Sequence, residues 1–582
     1  MFFAGEILNI MRRTAYPRPE LERKQWENLC GEWEFDFDFG KSGKDSNILE
    51  KEWFDYKIEV PFCPESRLSG IGHRDFIPAC WYRRKFESKK LGGDRLILNF
   101  EAVCHKTEVF VNGKSVGTHT GSYTPFSFDI TEYVADGENT LAVYCESDVR
   151  DGRQPSGKQS DKYASYGCYY TRSTGIWQPV WLERVPDAHL EDIKLDPDVD
   201  NSVLFVRAKL AGSEEKKICL EASLGGKKVG KAKAVTAGNY VRLALPIEKL
   251  SLWSVETPTL YDLDITVSGK GSEDKVHSYF GMRKIELDKT RLLINGKPVF
   301  MRLVLDQGYY PESVYTAPTD DAFIKDIKLS QALGFNGARL HQRVFERRFL
   351  YEADKNGYLV WGEYASWGFD HTRDDGLRYF LPEWMEAMDR DYNHPALIGW
   401  CPLNETWDIR GRRQNDEILS DIYLATKRFD PTRPCIDTSG NYHVITDIYD
   451  IHDYCQDIAS YHRRYDSFET EEGPFENRRD RQSYDGQPYF LSEYGGIRWS
   501  DDNKGWGYGD APETLEEYVE RYCSMIEILR SNPRVCGVCY TQLYDVEQEC
   551  NGIYRYDRTP KFDPETMEKM RKAMADIAAC EK

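Results

Sequence analysis

The chain has 582 residues, too many for one ordinary hydrophobic core, so two to four domains are expected. Its 77 basic and 97 acidic side chains give a formal net charge of −20, which argues against nucleic acid and anionic membranes as partners. An acidic ligand would need a local cluster of Arg or Lys that reverses this field. No run of residues approaches a membrane span, and residues 1–13 lack the basic-then-apolar order of a leader peptide, so a cytoplasmic location is expected. The 15 cysteines are scattered and odd in number, without the paired spacing of a zinc site, which predicts reduced thiols and no metal. The 14 Trp and 37 Tyr supply many flat amphipathic rings, which serve both sugar-binding surfaces and large cores.

Residues 1–186 read as an all-β sandwich. Leu96, Leu98 and Phe100 alternate with polar positions, as in a half-buried strand. The run ending at Val111 meets Asn112-Gly113, a favoured two-residue hairpin turn. Residues 187–286 repeat this texture at a smaller size, a length that fits one seven-stranded immunoglobulin-like sandwich. From 287 to 582 strands and amphipathic helices alternate, the pattern of a parallel α/β layout. Eight strand candidates lie at 299–305, 337–340, 358–362, 397–403, 434–436, 445–449, 489–492 and 535–540, the number a (β/α)₈ TIM barrel requires. One helix begins at Thr319 and aligns Phe323, Ile324 and Ile327, and another opens on the capping pair Thr514 and Glu517. The charged stretch 463–481 is expected to be a solvated loop, and 368–379 to wall the barrel entrance.

Two of these strands end in acids. The apolar run from Leu397 closes on Asn404-Glu405, and Tyr489-Phe490-Leu491-Ser492 closes on Glu493. The C-terminal mouth of a parallel barrel is where catalytic groups collect, and two carboxylates across one sugar ring are what glycoside hydrolysis needs.

Several motifs resemble glycoside hydrolase family 2, the β-galactosidases, β-glucuronidases and β-mannosidases. They are Trp81-Tyr82-Arg83-Arg84, Val109-Phe110-Val111-Asn112-Gly113 and Ser173-Thr174-Gly175-Ile176-Trp177 in the first domain. In the barrel they are Asn295-Gly296-Lys297-Pro298, Leu333-Gly334-Phe335-Asn336, Asn393-His394-Pro395, Asn404-Glu405 and Ser492-Glu493-Tyr494-Gly495. The resemblance spans nearly the whole chain. It implies a jelly-roll, sugar-binding N-terminal sandwich, a homo-oligomer, a carbohydrate or glycoconjugate substrate and no cofactor. It also implies Glu405 as acid/base and Glu493 as nucleophile of a retaining reaction. Asn404 matches the residue that binds the sugar 2-OH, and Tyr454 the tyrosine at the nucleophile. Arg339 and His341 match positions beside the reacting sugar, and Asp453 and Trp407 complete the implied substrate-binding set. His394 is read as a structural hydrogen-bonder.

The chain departs from the family where the sugar is chosen. β-Glucuronidases carry an Asn-x-Lys clamp before a Gly-Ile segment; here the residues are Glu549-Cys550-Asn551 before Gly552-Ile553. The acidic residue that many members place six before the Gly of the first-domain Gly-Ile motif, here Gly175-Ile176, is Tyr169. Arg339-Leu340-His341-Gln342-Arg343 resembles the Arg-x-x-x-Arg element of members that cleave β-galacturonides, where two guanidiniums hold a carboxylate. The alternative is that Arg343 opens a solvated basic face with Arg347 and Arg348. The expected substrate is therefore a β-galacturonide, with a β-galactoside next and a β-glucuronide after it. A non-catalytic carbohydrate-binding protein should have lost one of the two acids, and both are present.

Overall fold

A computed structural model describes residues 13–582 except 90, 213, 270, 467, 469–473 and 501–503. The N-terminal stretch read for a leader lies, apart from Arg13, outside the described residues, as does part of the charged stretch 463–481.

The first sandwich packs a six-stranded antiparallel sheet against a four-stranded one. Inward-facing Trp33, Phe35, Tyr82, Leu98, Val109, Val143 and Val180 fill the space between them. Asn112 and Gly113 both adopt positive φ (50° and 77°) and join Lys106–Val111 to Lys114–Thr120, as the hairpin pattern predicts. The second sandwich has one sheet of three strands and one of four, seven in all, around Leu204, Val206, Leu220, Leu263 and Ile265.

The barrel follows. Its first strand, Met301–Asp306, pairs in parallel with Gly337–Leu340 on one side and Val535–Thr541 on the other. The sheet continues to Leu359–Glu363 and Leu397–Cys401 in one direction, and to Tyr489–Gly495 and Tyr449–Asp453 in the other. The remaining strand, Thr438–Ser439, pairs with Leu403–Asn404, and Ser439 Oγ donates to Asp450 of its other neighbour. The sixth strand lies further along than 445–449. The Asp437 carboxylate accepts the amides of Val444 and Ile445 at 2.7 and 3.0 Å, which holds that segment in a turn, and Ile445 is exposed. The charged stretch 463–481 opens on the last three residues of a helix, Ile458–Tyr465, capped by Asp457 accepting from Ser460 N, and its other described residues are loop, as expected. Likewise 368–379 ends as a loop at Gly376, because Leu377–Asp391 is a helix. All fifteen cysteines are unbridged. No helix among the described residues is long and apolar enough to cross a membrane.

The N-terminal sandwich lies against the barrel mouth. Buried Glu383 accepts the amides of Ser122 and Tyr123 and the hydroxyl of Tyr364. Gly157 takes φ 58°, and a Cβ there would lie 2.2 Å from the carbonyl oxygen of Gln342. Glycine thus lets the loop settle on the barrel, where Gly157 N donates to Trp367 O at 3.0 Å, and the next residue, Lys158, enters the mouth.

Replacing Glu383 by Ala strands two buried amides and a hydroxyl. The expected cost is about 3 kcal/mol, read as a lower thermal unfolding midpoint with an unchanged circular dichroism spectrum at 25 °C. An unchanged midpoint would show that this contact does not hold the two domains together.

Candidate active site

Leu397–Cys401 is buried at every position. Pro402, without an N–H, interrupts it, and the chain resumes as Leu403–Asn404. Glu405 N then donates to Ser439 O at 2.9 Å while Glu405 adopts φ 46°, a left-handed conformation costly for a residue with a Cβ. Opposite it, a bulge sets Glu493. Ile451 pairs with Leu491 but His452 pairs with Glu493, so Ser492 is the extra residue that turns the acid toward its neighbour. Oxygens of Glu405 and Glu493 and a ring nitrogen of His452 all lie within 4.8 Å of one another.

Each acid has its own surroundings. Glu493 is buried and takes Arg339 Nη1 at 3.2 Å, the Tyr454 hydroxyl, and His452 Nε2 at 3.3 Å. His341 Nε2 stands 3.9 Å away, with its Nδ1 on Glu363 at 3.0 Å. Arg339 also binds Glu363, Ser492 O and, at 3.1 Å, Asn404 Oδ1. That last bond leaves the buried Asn404 Nδ2 without a partner. Glu405 keeps 17% of its side-chain surface exposed and takes His452 Nδ1 at 2.7 Å. Trp407, 42% exposed, donates Nε1 to the other Glu405 oxygen at 3.4 Å.

Three family models match the chain in order. The family 2 sugar-binding domain covers residues 68–185, the central family 2 domain 188–283, and the family 2 TIM barrel domain 285–577. The chain belongs to glycosyl hydrolase family 2. It is 28% identical over 439 residues to a β-galactosidase of Thermoanaerobacter pseudethanolicus, covering 70% of this chain and 53% of that protein. It is 24% identical over 459 residues to a β-glucuronidase of Paenibacillus borealis, covering 72% and 74%. A solved family 2 β-galacturonidase from Eisenbergiella tayi, bound to glycerol, has the same fold with a TM-score of 0.73 at 21% identity, covering 97% of this chain and 99% of that one. The chain spans about half the length of the first curated relatives, at 53%, 37% and 58%.

Two candidates of this family 2 site lie elsewhere. Arg343 does not face the acids. Leu340 ends its strand, Gln342 takes φ 53°, and the turn sends the Arg343 guanidinium to the carbonyls of Gly308 and Tyr315, between the rings of Trp177, Tyr315 and Phe345. Nor does it open a solvated face, because Arg347 is buried against Glu101 and Glu20. Asp453 points out of the barrel by strand alternation and takes Arg464 at 2.6 and 2.7 Å and the Tyr465 hydroxyl at 2.7 Å. His394 is structural, with Nδ1 2.6 Å from buried Asp354. The sequence reading missed three residues that reach the mouth: Glu363, which ties Arg339 to His341, and also His452 and Lys158. His452 was legible in principle, because Tyr454 facing inward implies that the residue two before it does too. Lys158 carries no sequence signal, since it arrives from another domain. A cleft of about 1350 Å³ also lies between the sandwiches, but Asp274, the buried acid in its wall, is neutralised by Arg23.

Burial alone would raise Glu405; the hydrogen bond and charge of His452, then Lys158 and Trp407, hold it below the ordinary carboxylate value. Burial alone would lower His452; Glu493 and Glu405 outweigh it and the imidazole stands above its ordinary value. Burial also opposes the Lys158 ammonium, and Cys168, Glu549, Glu493 and Glu405 more than offset it. Behind His452 runs a ladder of alternating charge. Ser439 joins it to Asp450, whose Oδ1 is 3.1 Å from His443 Nε2, and His443 Nδ1 is 2.7 Å from Asp437. The two aspartates overcome the burial of His443 and push it up to about 10.

A raised folded-state value means the His443 contribution is full below the unfolded value, about 6.5, and fades as pH climbs to about 10. The unfolding midpoint should fall across that window in the wild type and fall less in His443→Gln. Parallel curves for the two proteins would refute the charged pair.

Proposed function

We propose that this chain is an exo-acting, retaining β-glycosidase working by double displacement, with Glu405 as acid/base and Glu493 as nucleophile. The observation that carries the reading is the approach of the two carboxylates to within 4.8 Å. Retaining enzymes hold their acids about 5 Å apart, whereas inverting ones leave about 6.5–9.5 Å for a water. The division of labour follows from surroundings. Glu493 sits deep, with its two oxygens fixed by Arg339 and by the Tyr454 hydroxyl, as a positioned nucleophile requires. Glu405 stays partly open beside Trp407, whose exposed ring offers a platform for the departing group. Asn404 Nδ2, buried and unpaired, is a donor for the sugar 2-OH. The same reading keeps the expectation of a cytoplasmic homo-oligomer that needs no cofactor, with sedimentation as its check.

The preferred substrate is a terminal β-D-galacturonide. With Arg343 turned away, the support for an acidic sugar moves to Lys158. The residue is 5% exposed, its ammonium lies 5.0 Å from the centre of the Trp367 ring, and it forms no ion pair among the described residues. An unpaired buried cation beside the two acids suits a uronate carboxylate. Glu549 favours the second reading, a neutral β-galactoside. It is a buried acid that feels Glu493 and Lys158 and accepts Asn551 Nδ2 at 3.0 Å, in place of the β-glucuronidase clamp.

A panel of aryl β-glycosides tests the sugar. Turnover of the galacturonide should exceed that of the galactoside and glucuronide, and a galactoside far ahead would overturn the first choice. Lys158→Met should lower kcat/KM for the galacturonide by about 10- to 100-fold and for the galactoside by less than about threefold. Glu493→Gln should lower kcat at least about a thousandfold, and Glu405→Gln should slow poor leaving groups far more than activated ones. Equal effects on both leaving groups would exchange or void the roles.

A further inference from the structure

His452 touches both acids, and its hydrogen bonds fix which nitrogen titrates. Ser439 Oγ donates its proton to Asp450 Oδ2 at 2.6 Å, and Asp450 also takes the Ser492 hydroxyl and Gly440 N. The Ser439 oxygen is thereby left to accept from His452 Nε2 at 3.1 Å. Nε2 therefore keeps its proton, and the nitrogen that gains or loses one is Nδ1, 2.7 Å from Glu405 Oε1. Gly440, at φ 89°, makes room for this arrangement, since a Cβ there would lie 2.4 Å from that same Nδ1.

We propose that His452 stores the proton that Glu405 passes to the leaving oxygen and takes it back in the second half-reaction. This rests on the glycosidase reading above. In the first half the Nδ1–H bond breaks as Oε1–H forms on Glu405. That proton then moves to the glycosidic oxygen while the C1–O bond breaks and Glu493 bonds to C1. In the second half water adds to C1, Glu493 leaves, and the water's proton returns through Glu405 to Nδ1. The sum is one glycoside and one water consumed, with the protein unchanged.

The need arises because Glu405 beside a cation is held ionised, so the acid step requires a proton source in contact with it. Among the described residues, charged groups from several elements face His452. Glu405 closes the fourth strand, Asp450 lies on its own strand beyond Ser439, and Glu493 comes from the seventh. Arg339 and His341 come from the second strand and Glu363 from the third. Lys158 acts on Glu405 from the first sandwich, and His443 backs Asp450. The two acids His452 touches, Glu493 and Glu405, outweigh its burial and Arg339, so the imidazolium is favoured above its ordinary range.

The test has two arms. In the first, kcat/KM is followed against pH for a glycoside with a poor leaving group. His452→Asn keeps a donor near Nδ1 but no titrating proton. The basic limb, above pH 6.5 in the wild type, should move down by at least one pH unit, so that the loss at pH 8 exceeds the loss at pH 6 by about tenfold or more. Ser439→Ala should move the same limb part of the way. Limbs unchanged in both variants, or a loss equal at every pH, overturn the proposal. In the second arm, protein labelled with 15N-histidine is titrated by NMR without any substrate. The resonance that disappears in His452→Asn should remain imidazolium above pH 6.5 and should titrate lower in Glu405→Gln. An imidazole already neutral at pH 6.5 overturns the proposal whether or not turnover is found. Failure of the wild type on every glycoside instead removes the glycosidase reading.

Discussion

Four carboxylates, Glu363, Glu405, Glu493 and Glu549, converge on one barrel mouth, and three of them are fully buried. Each alone would be too costly to ionise away from water, and together they repel. The site exists because cations are threaded among them. Arg339 does most of this, binding Glu363, Glu493 and Asn404 from one fully buried guanidinium. Its planar fork allows three directed bonds, which a lysine's compact ammonium would not reproduce. His452 separates Glu405 from Glu493, and Lys158 answers Glu549 and Glu493 from across the mouth. Breaking any of these contacts leaves an uncompensated charge, so the arrangement stands or falls as a unit.

That constraint explains why the barrel is not sufficient alone. The second strand supplies Arg339 and His341 and then turns away, leaving the side of the mouth near Gln342 to be filled. The first sandwich fills it with the loop around Gly157, pinned to Trp367 O by two amides, and delivers Lys158. The sandwich is in turn held by Glu383, by Thr316 bonded to Trp177 O and by Arg347 against Glu101. A loop carried by a rigid sheet can hold a lysine in a fixed place, where a long flexible barrel loop would spend binding energy on ordering itself.

What the sequence revealed follows the range of each signal. The two acids were legible because a buried strand ending in a carboxylate is a local pattern, and the seven-stranded second sandwich because its length and turns are local too. The sixth strand was misplaced because its true residues, Tyr449–Asp453, include Asp450, His452 and Asp453, which look unlike a buried strand until the ladder that neutralises them is known. Arg343 was misread because four positions along the chain were taken as one direction in space. Gln342 at φ 53° breaks that link. Lys158 could not be found at all, since no spacing relates residue 158 to residues 405 and 493.

The protonation of Glu549 connects these points to the choice of sugar. Burial pushes this acid up, while Lys158, Tyr170 and Asn551 pull it back. Ionised, it accepts hydroxyls and opposes a uronate, which suits a neutral galactoside. Protonated, it no longer opposes a uronate carboxylate, and Lys158 is the charge that group meets. An entering uronate itself favours the second state, because a new negative charge beside Glu549 raises its proton affinity further. The charge on this one acid therefore weighs on the choice of sugar, in a mouth whose two reacting acids, Glu405 and Glu493, already share the imidazole of His452.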